Sequence, residues 1–128
     1  PNEREARIAL QDNGSGLEAL TQNLFRETNS KRIIMKLGAD GFIAYEKDKS
    51  SNKMNSQSFP TLATNPIDVS GAGDSLLSVM AVGLTCKESM MVSAAVGACR
   101  AAIAVDTIGN YPIDKEELKE RVKQVLKD

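Results

Sequence analysis

The run Asp68-Val69-Ser70-Gly71-Ala72-Gly73-Asp74-Ser75-Leu76-Leu77 sets two glycines around one alanine and then passes at once into helix-forming residues. It predicts a tight turn that delivers the chain into a helix N-terminus. The first amides of such a helix have no intrahelical acceptor, and the helix dipole adds positive potential there. Without side chains at Gly71 and Gly73, an anion can approach the backbone closely. Gly71, Ala72 and Gly73 therefore form a candidate cradle for a phosphoryl group or for the charge that develops as it moves. Asp74 would repel a phosphate, but it suits an attacking hydroxyl, which it can orient and deprotonate. Two plainer readings stand beside this one. Asp is favoured in a first helical turn anyway, and Gly-x-Gly before a helix is also a common tight turn. Neither the P-loop string nor the dinucleotide fingerprint is present.

Working outward, Gly73 to Leu84 and Lys87 to Val105 read as helices, with Val92 to Val105 buried and closely packed because it is rich in Ala and Gly. Ile33-Ile34-Met35 reads as a buried strand and Phe42-Ile43-Ala44-Tyr45 as its hairpin partner, with Gly38 to Gly41 as the turn. Lys47 to Asn55 is a polar loop, and Met54 to Phe59 a further strand. Upstream, Asn2 to Leu10 opens a short helix. Ser15 to Thr28 is an amphipathic one, with Ser15 as N-cap and Glu18 three residues on. Asp114 and Glu117 make a capping box for a last helix, whose Leu118, Val122, Val125 and Leu126 fall on one face. Pro60 and Pro66 bracket the connector into the Gly-rich turn. Helices alternating with short buried strands argue an α/β sandwich.

The chain has 128 residues, 41% hydrophobic and 26% charged, with a net charge of −1. That suits one domain with one core and gives no electrostatic footprint for nucleic acid. No histidine is present, and the two cysteines, Cys86 and Cys99, lack metal-ligand spacing, so zinc is excluded. Two buried thiols fit a reducing, cytoplasmic setting. No apolar run has membrane length. Phe25, Phe42, Phe59 and the pair Met90-Met91 read as core. The opening Pro1-Asn2-Glu3-Arg4-Glu5, with no initiator Met, reads as the start of a piece of something longer.

The stretch Asp68 to Ser75 resembles the second signature of ribokinase-like (PfkB-type) carbohydrate kinases, Asp-Thr-x-Gly-Ala-Gly-Asp. Asn2-Glu3-Arg4-Glu5 is similar to that family's N-x-x-E motif, and Leu37-Gly38-Ala39-Asp40-Gly41 to its strand-turn segment beside the nucleotide. Ala101 to Val105 followed by Gly109 resembles its late helix and loop over the adenine. The opening residues and the Val105 to Gly109 region look closest to heptose-phosphate kinases. The resemblance implies the C-terminal portion of a ribokinase-like three-layer α/β/α sandwich across residues 1–128. It also implies ATP and Mg2+ as cosubstrates, K+ in many members, and a sugar or sugar-phosphate acceptor. Asp74 would then be the base and Gly71, Ala72 and Gly73 the anion hole. Asn2 and Glu5 would position Mg2+ through water. Asp68, Ser70, Ala104 and Gly109 would lie near a monovalent cation. Lys36, Gly38 and Gly41 would lie beside the nucleotide. Oligomeric state is open, homo-oligomers included.

The chain departs from the family pattern at several places. Val69 stands for the usual Thr. Lys36 stands where Thr is common, either reaching a phosphate as a point charge or ending a strand in solvent. Asp106-Thr107 replaces a common Thr-Arg. Asn2 with Glu5 is also the sequence of an ordinary capping box. The alternative to a kinase is a nucleotide-binding fragment or degenerate kinase without chemistry of its own.

Overall fold

A computed structural model of the chain describes residues 1–63, 69–109, 111–112 and 114–128. It forms two compact units, Pro1–Pro60 and Thr61–Asp128.

The first unit holds α1 (Glu3–Leu10), α2 (Leu17–Thr28) and a sheet of β1 (Arg32–Lys36), β2 (Phe42–Lys47) and β3 (Met54–Phe59), in that order and antiparallel throughout. The hairpin forms as expected, Ile33 opposite Tyr45 and Met35 opposite Ile43. Period-two alternation decides which residues go inward. Ile33 and Met35 are buried with Ala6, Leu20, Leu24, Phe25 and Tyr45, while Ile34 is only half-buried. Phe42 and Phe59 stack at 5.1 Å between ring centroids across β2 and β3. In β3 only Phe59 is buried, and its Asn-Ser-Gln-Ser centre stays in water, as an edge strand tolerates.

Ser15 does not cap α2. Asp12 Oδ1 accepts the Ser15 and Gly14 amides at 2.9 and 3.1 Å, which uses Ser15 in an Asx-type turn and leaves Gly16 as the N-cap. Gly41 has φ 88° and ψ −129°, a region that essentially only glycine occupies. Its amide donates to the Gly38 carbonyl at 3.2 Å, and its carbonyl accepts the Leu37 amide at 2.8 Å.

The polar loop after β2 is held by Asp48. Oδ1 accepts the Ser50 amide and hydroxyl at 2.8 and 2.7 Å, and Oδ2 the Ser51 hydroxyl at 2.8 Å. These bonds favour the carboxylate, the Ser50 amide most, and lower its pKa to about 2. The folded value lies below the ordinary 3.8. The loop is therefore fully held above that pH and loosens as pH falls toward 2. The Ser50 amide resonance is expected to titrate with a midpoint near 2. A midpoint at the ordinary carboxyl value would mean that the three bonds do not form in solution.

The second unit holds α3 (Ala72–Thr85), α4 (Met90–Val105) and α5 (Lys115–Val125). Helix α4 starts three residues later than the sequence suggests because Ser89 caps it, its hydroxyl oxygen accepting the Val92 amide at 3.2 Å. Its small face of Ala94, Gly97, Ala98 and Ala102 is buried, as is Met90, while Met91 is half-buried. Leu76 and Met80 are the buried residues of α3. A Cβ at Gly97 would come within 2.6 Å of Leu76 Cδ1, and one at Gly83 would strike the Ser93 side chain. The two helices therefore approach as closely as their small residues allow.

Two expectations fail here, on Cys86 and Val92, while α5 keeps most of its surface in water, as its charged sequence suits. Cys86 is exposed rather than buried, because it falls at the C-cap of α3, outside the packed helix pair. Val92 is exposed, since it lies in the first turn of α4 on the side away from its small face. Val125 and Leu126 are exposed and α5 buries no residue fully, so only Leu118 and Val122 are half-covered. Asp114 does cap α5, accepting the Glu117 amide at 2.9 Å.

Candidate functional site

Gly71 adopts φ 75°, ψ −3°, the left-handed conformation, and is the N-cap of α3 with no side chain closing the helix end. A residue without a Cβ takes this conformation without steric cost. The open end leaves donors. The Ala72 amide reaches the Val69 carbonyl only at 3.5 Å, the outer limit of a hydrogen bond, and the Ser75 amide is taken by the Gly71 carbonyl at 2.9 Å. Among the described residues the Gly71 and Gly73 amides have no acceptor. Asp74, one turn into the helix, is exposed.

A cavity of about 450 Å3 opens beside this turn, lined by Gly71, Asp74, Ser75 and Ser78 from one side and by Arg100, Ala104, Gly109, Tyr111 and Pro112 from the other. Its size falls in the range of small-ligand sites. Four residues expected from sequence thus share one cavity: Gly71, Asp74, Ala104 and Gly109. Gly109 has φ 83°, so its glycine is needed by the loop itself. Ser70 is exposed beside the turn. Asp68 lies outside the described residues.

Five of the lining residues were not expected. Ser78 could have been found by helical spacing, because it follows Asp74 by four positions on one helix face, and Ser75 lies three positions before Ser78. Arg100 had a signal too, a lone charge in a run of Ala, Gly and apolar residues. Its Nη1 is enclosed and has no hydrogen-bond partner among the described residues. Burial lowers its pKa, and Glu117 of α5 acts against that shift. Tyr111 and Pro112 gave no signal.

Asp106 and Thr107 have structural work. Asp106 Oδ2 pairs with Arg121 Nη2 at 2.6 Å, tying the end of α4 to α5. The Thr107 hydroxyl donates to the Ile103 and Ala104 carbonyls at 3.1 and 3.2 Å.

The remaining expected residues belong to the first unit. Asn2 and Glu5 form the capping box. Asn2 Oδ1 accepts the Glu5 amide and Glu5 Oε2 the Asn2 amide, both at 2.7 Å. The Lys36 amide donates to the Pro1 carbonyl at 2.9 Å, in an isolated parallel bridge that brings Asn2 beside Lys36. Glu5 is exposed and its carboxyl is held below the usual range, chiefly by the Asn2 amide, with the Lys36 charge adding to it. An ionised, exposed carboxylate of this kind suits a Mg2+ held through water. Among the described residues no group of three or more Cys, Asp or Glu side chains clusters to ligate a metal directly. Gly38 has φ 64° and open space around it. No helix is long and apolar enough to cross a membrane among the described residues.

Comparison with known proteins bears on the family and the fold. The chain is 29% identical over 127 residues to the bifunctional protein HldE of Desulfatibacillum aliphaticivorans, covering 96% of the chain and 25% of that protein. The HldE of Sulfurimonas denitrificans is 28% identical over 94% of the chain and 24% of its own length. The chain thus spans about a quarter of the length of these curated relatives. The crystal structure of ribokinase from Thermotoga maritima superposes with a TM-score of 0.80 at 27% identity, over 96% of this chain and 41% of that one. Phosphofructokinase-2 from Escherichia coli, in complex with substrates and products, gives 0.81 at 16% identity over 98% and 40%, a likeness of fold. These neighbours identify the architecture as a partial ribokinase-like α/β fold. The pfkB family carbohydrate kinase profile matches residues 1–116, and the chain belongs to that family.

Proposed function

We propose that this chain supplies the catalytic-base and nucleotide-binding part of an ATP-dependent kinase acting on a hydroxyl of a sugar or sugar phosphate. The observation that carries it is the cavity walled by left-handed Gly71 and the Asp74 carboxylate at an uncapped helix end. In this reading Asp74 accepts the proton of the acceptor hydroxyl as its oxygen bonds to the γ-phosphorus and ADP departs. The amides of Gly71, Ala72 and Gly73 take the charge that grows on the transferring oxygens. Lys36, Gly38 and Gly41 contribute to nucleotide binding, and Asn2 and Glu5 position Mg2+, which would neutralise phosphate charge. A K+ near Asp68, Ser70, Ala104 and Gly109 is the weaker part. Ala104 and Gly109 share their cavity with Arg100, and two like charges in one cavity oppose each other. The acceptor class favoured by the opening residues and the Val105 to Gly109 region is a heptose phosphate, and the setting is cytoplasmic.

The test is ADP release from ATP and Mg2+ against a panel of sugars and sugar phosphates, with nucleotide binding followed by calorimetry. Acceptor-dependent ADP release is expected from the enzyme that carries this chain. Nucleotide binding with no acceptor-dependent release from any member of the panel would support a binding module in place of a kinase. Absence of both would remove the reading.

A further inference from the structure

Arg100 is the feature that the family resemblance does not absorb. It stands alone as a charge in the sequence Val92 to Val105, on the helix whose small face packs against α3. A guanidinium offers five donors in a planar fork. Here Nη1 is closed off from solvent with no acceptor, an arrangement that costs more than an exposed arginine would. The charge that acts on it, Glu117, makes no ion pair with it. Arg121 of α5 is tied to Asp106 at 2.6 Å through Nη2, with its own Nε likewise enclosed without a partner among the described residues; what sets Arg100 apart is that it makes no ion pair and lines the cavity. Arg100 lines the same cavity as Asp74 and Gly71. Nη1 is shut off from that open cavity as well, but the remaining donors, on Nε and Nη2, bond to nothing among the described residues; an oxyanion entering the cavity that Arg100 lines would give them acceptors, in the geometry that arginine matches best.

We infer that Arg100 is a phosphate-binding residue of the Asp74 cavity, receiving a phosphate group of the nucleotide or of a phosphorylated acceptor. The inference rests on the phosphoryl-transfer reading of that cavity and adds a side-chain ligand to its backbone amides. The Arg100 charge would also offset the repulsion between such a phosphate and Asp74.

The experiment is an NMR titration of the 128-residue chain, following the Arg100 Nε–H and the Gly71 and Gly73 amides. The probes are inorganic phosphate, ATP and glucose 6-phosphate, with adenosine and glucose as uncharged controls. Phosphate-bearing probes are expected to move all three resonances with one midpoint. Arg100→Gln should weaken them about tenfold or more, and Arg100→Lys should weaken them less. Glu117→Gln should leave them within about twofold, because an exposed charge without an ion pair adds little. The tighter of ATP and glucose 6-phosphate identifies the source of the phosphate. Movement of the glycine amides without Arg100, and an unchanged midpoint in Arg100→Gln, would overturn the inference and leave the kinase reading standing. An equal loss in Glu117→Gln would make Arg100 a clamp to α5 and overturn it likewise. No movement of any resonance with any probe would overturn both.

Discussion

Replacing Asp74 by Asn lowers turnover by at least ~10²-fold while ATP affinity stays within a few-fold, because the amide keeps the shape and loses the base. The two arms separate base catalysis from nucleotide binding. Asp74 is exposed at the first turn of α3, so its loss leaves no buried group unpaired and the fold should persist. The macrodipole contribution of an acid at that position is at most about 1 kcal/mol in an exposed setting. A fall in kcat at unchanged KM for ATP, with circular dichroism unaltered, is the expected result. Turnover near that of the parent would leave Asp74 as a helix-end residue and nothing more.

The second large effect is on stability. Gly41→Ala is expected to destabilise the first unit by about 3 kcal/mol or more, the scale of a strained backbone combined with a steric clash. A Cβ there would strike the Phe59 carbonyl oxygen and lie 2.8 and 2.9 Å from the carbonyl carbon and Cα of Pro60. These are backbone atoms that no rotamer change can move. Gly38→Ala is the control. It also has positive φ, at 64°, but nothing lies within 4 Å of its Cβ position, so only the left-handed penalty of about 1–2 kcal/mol applies. Urea unfolding of both variants measures the difference. Equal losses would mean that the approach of β3 to Gly41 is looser than described.

Gly41 also shows where sequence reading stops. Its place in a strand-turn segment pointed to the nucleotide, and its own geometry explains it first by the close passage of the β3 end. Local pattern was enough for the elements themselves. Short continuous apolar runs gave β1 and β2, and Asp114 with Glu117 gave the start of α5, because these signals are contained in a few consecutive residues. The Gly71 turn was readable for the same reason. Ser15 misled because Asp12, three residues earlier, holds it in a turn, and the helix begins after Gly16. Cys86 misled because apolar surroundings in sequence do not say where a helix pair ends. Arg100 and Tyr111 escaped because a cavity wall is assembled by α3 meeting α4 and the loop after it. No spacing within either segment encodes that meeting.

The tight seating of Leu76 over Gly97 and of Gly83 over Ser93 has a consequence for engineering. Thermal hardening by filling interior space is closed off between these two helices, since added volume would wedge α3 outward and carry Asp74 with it. Hardening would have to come from α5, where Val125 and Leu126 are already in water and polar or charged replacements would displace nothing that α3 depends on.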